Sequence, residues 1–120
     1  MDESAQTKAQ QSFPHPRASR LLASSNYLAV NRDLIGFLGL ETAAFFSELA
    51  SECSYFEDRH LLADGWFFTT VENIQRKTGI KKKRQYSIFK ELKALGLVET
   101  KRAGMPAKRY IRINEDALLA

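Results

Sequence analysis

Thr69-Thr70-Val71-Glu72-Asn73-Ile74-Gln75-Arg76-Lys77-Thr78-Gly79-Ile80-Lys81-Lys82-Lys83-Arg84-Gln85-Tyr86-Ser87-Ile88-Phe89-Lys90-Glu91-Leu92-Lys93-Ala94-Leu95-Gly96 decides the fold. Thr69 to Glu72 fits the S/T-x-x-E capping box, in which the Thr69 hydroxyl and the Glu72 carboxylate each satisfy an otherwise unpaired backbone N–H, so a helix starts there. Val71 and Ile74 supply its buried side. Gly79 stops it after Thr78, about two turns on, where a left-handed backbone costs glycine little. After Gly79-Ile80 a second helical period brings Ile88, Phe89, Leu92 and Leu95 to one face, with Gly96 as its stop. Two short helices separated by a few residues around a glycine, the second of them basic, form a helix-turn-helix.

The flanking sequence completes a small domain. Leu97 to Arg102 and Lys108 to Ile113 read as two strands joined across Ala103-Gly104-Met105-Pro106-Ala107, a hairpin that makes the motif winged. Upstream, Asp64-Gly65 is a turn signal, and Trp66-Phe67-Phe68-Thr69 is a short aromatic strand. Leu40, Ala43, Phe46, Leu49, Ala50, Cys53 and Phe56 recur at steps of three and four, which predicts a long helix over about Leu40 to Phe56. Phe45 and Tyr55 fall toward the edges of that stripe. They either cover the small core and its lead-in, the reading we prefer, or form a dimer face. Before this helix come an extended lead-in or short strand at Tyr27 to Val30 and a brief helical turn through Asp33 to Phe37, kept short by Gly36 and Gly39. The expected class is therefore α+β, a winged helix-turn-helix over residues 26–114. Residues 1–25, rich in Gln, Ala, Ser and Lys and broken by Pro14 and Pro16, are expected to be a disordered arm, and 115–120 a short tail.

Charge is segregated along the chain. The net charge is only +4, yet residues 71–113 carry thirteen Lys/Arg against three Glu, whereas residues 1–70 carry five against nine Asp/Glu. A positive block of that density in a folding stretch points to a polyanion, foremost double-stranded DNA. With Ile88, Leu92 and Leu95 packed inward, Lys82, Lys83, Tyr86, Lys90 and Lys93 fall on the opposite side of the second helix, where they reach phosphates or base edges of a major groove. Gln85 has the chemistry to read adenine but leans toward the packed side. The run Lys81-Lys82-Lys83-Arg84 sits in the first turn, where the helix dipole disfavours cations by about 0.3 to 1 kcal/mol each. Lys81 also offers no capping side chain. Arriving phosphates would resolve both conflicts. In the hairpin, Lys101, Arg102, Lys108 and Arg109 are the expected contacts to phosphates or the minor groove, with Ile111 and Ile113 inward and Lys108, Tyr110 and Arg112 outward. Arg17 and Arg20 of the arm are candidates for auxiliary phosphate contacts only.

Other chemistries lack the residues they need. At 120 residues and 13.6 kDa a multidomain enzyme is not expected, and no nucleophile motif, Gly-rich phosphate loop or spaced carboxylate cluster is present, so the chain is not expected to be an enzyme and no cofactor is implied. One cysteine, Cys53, rules out an intramolecular disulfide, and with only His15 and His60 beside it no zinc set exists. No apolar run approaches the roughly 20 residues that cross a bilayer, and the polar N-terminus is unlike a signal peptide, so a cytoplasmic location is expected.

From about Tyr27 to Asn114 the chain resembles a family of phage and plasmid replication proteins with an N-terminal winged helix. The resemblance rests on Leu40 to Leu49, the Asp64-Gly65-Trp66-Phe67-Phe68-Thr69 block, Thr78-Gly79-Ile80, Leu95-Gly96-Leu97-Val98-Glu99, and Gly104-Met105-Pro106-Ala107-Lys108-Arg109-Tyr110 running into Ile113-Asn114. It implies a domain similar to those of plasmid replication initiators and DnaD-type primosomal proteins, which binds origin DNA or self-associates. The chain departs from that pattern at Lys81, where a capping Ser is usual. The resulting expectation is a double-stranded DNA-binding module of replication initiation. The alternatives are a transcriptional regulator using the same surface, or an interaction module that forms a homodimer or docks replisome proteins.

Overall fold

A computed structural model describes residues 27–119, so the expected arm, with Arg17 and Arg20, lies outside the described residues. Tyr27 to Val30 carries no regular structure, which makes it a lead-in and not a strand. Asn31 then caps α1 (Arg32–Leu38), its Oδ1 accepting from the backbone N–H groups of Asp33 at 2.8 Å and Leu34 at 3.3 Å. Gly39 separates α1 from α2 (Leu40–Asp58), the longest element.

The burial of α2 is wider than its apolar stripe predicts. Ala43, Phe46 and Leu49 are buried as expected, but Leu40 and Ala50 are exposed, and Thr42, Phe45, Glu48 and Glu52 are buried instead. The helix is wedged between partners on two sides, so polar residues are drawn into the second contact. Phe45, a candidate for the dimer face, is fully buried and meets Phe89 edge-on at 4.9 Å between ring centroids. That contact removes it from any surface.

A tight turn at Asp64 and Gly65, both with positive φ, returns the chain into β1 (Phe67–Phe68). Gly65 is required twice over, since its φ is +81° and a Cβ there would lie 3.3 Å from Cδ of Arg112. Next comes α3 (Val71–Thr78), which is capped by Thr70 and not by Thr69: Thr70 Oγ1 accepts from the Asn73 N–H at 3.0 Å. Thr69 is buried and donates to Glu52 Oε1 at 2.7 Å. The Thr69 hydroxyl also accepts from Asn73 Nδ2 at 3.0 Å, so its donor and acceptor are both engaged away from the helix end.

Gly79, in the left-handed region with φ 77°, ends α3 and leads to α4 (Lys82–Ala94). Ile88, Phe89 and Leu92 of α4 are buried, each contributing about 1.5 to 3 kcal/mol of apolar burial. Leu95, expected on the same face, is 44% exposed because the helix closes before it, and Leu97 takes its place in the core. β2 (Val98–Ala103) and β3 (Lys108–Ile113) form the hairpin, and β1 adds to β3, giving an antiparallel sheet in the order β1-β3-β2. The expected tail contains a last short helix, α5 (Glu115–Leu119), begun by Asn114 Oδ1 accepting from the Ala117 N–H. Three helices over a small sheet with a β2–β3 wing are a winged helix-turn-helix.

Candidate nucleic-acid interface

Gln85 fixes the angle at which α4 leaves α3. Its amide Nε2 donates to the carbonyls of Ile80 at 2.8 Å and Val71 at 3.0 Å, tying the turn and the start of α3 to α4. The side chain is fully buried, so the expected role for Gln85 in reading a base is corrected. Its amide nitrogen is spent inside the motif, and its Oε1 is buried there without a partner among the described residues.

The N-terminus of α4 is uncompensated at its three lysines, though not at Arg84. Lys81 supplies no side-chain cap, and no acidic residue lies in the first turn. Lys81, Lys82, Lys83 and Lys90 are exposed and make no ion pair among the described residues. Lys82 lies against the ring of exposed Tyr86, its Nζ 5.8 Å from the centroid. Arg84 differs from the lysines beside it. Its guanidinium pairs with Glu41 of α2 and reaches Ser87 Oγ, so it braces α4 against α2.

Between α4 and the hairpin lies a cleft of about 470 Å³, lined by Tyr86, Phe89, Lys90, Lys93, Thr100 and Arg109. Lys93 Nζ donates to Thr100 Oγ1 at 3.1 Å, and the Arg109 guanidinium lies 4.3 Å from the centroid of the Phe89 ring, so the cleft is cross-tied from both walls. Burial lowers the pKa of Arg109, with Arg102 acting in the same direction and Tyr86 against it. An arginine stays cationic at neutral pH regardless.

The register of the hairpin divides the four wing cations into two pairs. Arg102 lies opposite Arg109, and directly opposed residues share a face, so both sit on the α4 side. Lys101 lies opposite Tyr110 and Lys108 opposite Ala103, on the outer face of the sheet. There Lys101 Nζ lies 4.3 Å from the Trp66 ring centroid and Lys108 Nζ 5.0 Å from that of Phe68. The candidates therefore form one basic surface, made of the α4 N-terminus, Lys90, Lys93, Arg102 and Arg109, and a separate one carrying Lys101 and Lys108. Tyr55 stays 51% exposed at the end of α2, with the Arg59 guanidinium 3.6 Å from its ring centroid.

One cluster escaped the sequence reading. Glu48 and Glu52 are buried under α3, where Asn73 Nδ2 donates to Glu52 Oε1 at 2.6 Å and Lys77 Nζ lies 3.6 Å from Glu48. Burial, then the neighbouring Glu52, push the Glu48 carboxyl up from 4.5 to about 7, against the opposing pull of Lys77. The signal was angular: on a helical wheel Glu52 falls about 20° from Phe45 and Glu48 about 60°. Among the described residues no three His, Cys, Asp or Glu side chains gather to hold a metal ion, and no helix is long and apolar enough to cross a membrane.

The fold is that of a winged helix, and the basic surfaces lie on its second motif helix and its wing. A solved structure described as the N-terminal domain of a DNA binding protein is similar to this chain, with a TM-score of 0.57 and 16% sequence identity over 80% of this chain and 78% of that one. At that identity the likeness is one of fold. No family model matches the chain, and no curated protein matches it.

Proposed function

We propose that the chain is a non-enzymatic winged-helix protein that binds double-stranded DNA and acts at the replication origin of a phage or plasmid. The observation that carries DNA binding is the start of α4: exposed Lys81, Lys82 and Lys83 around unpaired backbone N–H groups, with neither cap nor acid to balance them. Duplex phosphates supply the missing anions, and the cleft floored by Lys90, Lys93 and Arg109 continues the same surface toward the wing. The similarity of fold to a domain of a DNA binding protein supports this reading. The replication role rests on the resemblance of Tyr27 to Asn114 to phage and plasmid replication proteins.

The test is fluorescence anisotropy with a random duplex and with duplexes tiled across the protein's own locus, each titrated at several salt concentrations. One preferred tile within the origin is expected, with steep salt dependence. Replacing Lys82, Lys83 and Lys90 by alanine should flatten the slope of log K against log salt by about 0.9 for each phosphate that is no longer neutralised. An unchanged slope would sink the assignment of α4. A preferred tile at a promoter would make the protein a regulator instead.

A further inference from the structure

The outer face of the sheet, turned away from α4, carries a second surface. β1 and β3 pair Phe68 directly with Tyr110, and β3 and β2 pair Tyr110 with Lys101, so one row across the sheet runs ring, ring, cation. The two rings lie 6.0 Å apart between centroids. Trp66 stands beside this row, with Lys101 Nζ at 4.3 Å and the Arg112 guanidinium at 4.6 Å from its centroid, and Lys108 flanks Phe68. The three rings are half-buried and border a groove of about 490 Å³. Arg112 also pairs with Glu99 at 2.8 Å, which leaves Lys101 and Lys108 as the uncompensated cations of the face.

We infer that this face binds single-stranded nucleic acid, its bases stacking on Trp66, Phe68 and Tyr110 and its phosphates meeting Lys101 and Lys108. The spacing supports that partner. The Lys101 and Lys108 ammonium groups lie over the Trp66 and Phe68 rings, 4.3 and 5.0 Å from the centroids, so a phosphate that draws each of them aside frees a ring face for the base next to it. A purely apolar protein partner would bury those ammonium groups unpaired. A duplex keeps its base faces stacked inside, so only an unpaired strand can use the rings. This inference does not depend on duplex binding at α4, because the two surfaces lie on opposite sides of the hairpin.

Trp66 is the sole tryptophan of the chain and reports on the face directly. The full chain is titrated with oligothymidylate while Trp66 emission is followed. Saturable quenching is expected, weakened by salt. Phe68→Leu keeps the site apolar but removes a flat ring, and should weaken binding about tenfold. Lys101→Gln should also weaken it, and this variant carries the test if Phe68→Leu fails to fold. The triple alanine variant at Lys82, Lys83 and Lys90 should leave the quenching unchanged even where it abolishes duplex binding. Four results would overturn the inference: no quenching; equal quenching by heparin, a polyanion without bases; loss of quenching in the triple variant, which puts the strand on α4; or an emission shift with protein concentration alone, which gives the face to a second copy.

Discussion

Glu48 is the residue whose chemistry is most altered by folding. Its carboxyl titrates near 4.5 when free and at about 7 in the folded chain. Below pH 4.5 it holds its proton in both states and its contribution to stability is complete. As pH rises from 4.5 toward 7 the unfolded chain releases the proton first, so stability falls until the folded group titrates as well. Glu48→Gln removes that loss, and the variant should be the more stable protein above pH 7, by up to about 3 kcal/mol. Urea midpoints below pH 4.5 and above pH 7 would show it; a fall of the same size in the variant would assign the effect to another group. Gln85 teaches a related lesson, because a polar residue on a basic helix was readable as a base contact until its amide was found bonded to Ile80 and Val71.

The helices were legible as elements because periodicity and glycine stops are local signals. Gly79 and the Ile88, Phe89, Leu92 spacing suffice to place α3 and α4 to within a residue or two. What was not legible depended on partners distant in sequence. Whether Thr69 or Thr70 caps α3 is decided by Glu52, 17 residues before Thr69. The two hydroxyls should accordingly respond differently to removal. Thr70→Ala loses a cap and should cost about 1 kcal/mol. Thr69→Ala strips a donor from a buried carboxylate and should cost about 1 to 3 kcal/mol. Thermal unfolding of the pair compares the two, and a smaller cost at Thr69 than at Thr70 would overturn the assignment. The hairpin shows the same division: its strands and basic residues are plain in the sequence, and strand alternation already turned Lys108 outward. Which rings and helices each face meets is set by β1 and α4.

Across the whole molecule, the core is closed by contacts between elements far apart in sequence. Phe45 of α2 and Phe89 of α4 form its centre, so Phe45→Ala should cost about 3 to 5 kcal/mol while leaving the sedimentation coefficient of the folded protein unchanged. A shift in oligomeric state at unchanged stability would return Phe45 to an interface. The basic residues need this core to act together, since α4 and the wing contribute cations to one cleft only when both are packed on α2 and the sheet. The cross-ties over that cleft, Lys93 to Thr100 and Arg109 over Phe89, set its width as the chain folds. A duplex seated there would conform to that width or displace the two contacts that set it. Where it conforms, any misfit in groove width would fall on the DNA as bending or twisting strain, and sites would be sorted by the stiffness of their base-pair steps as well as by the bases that the lysines touch.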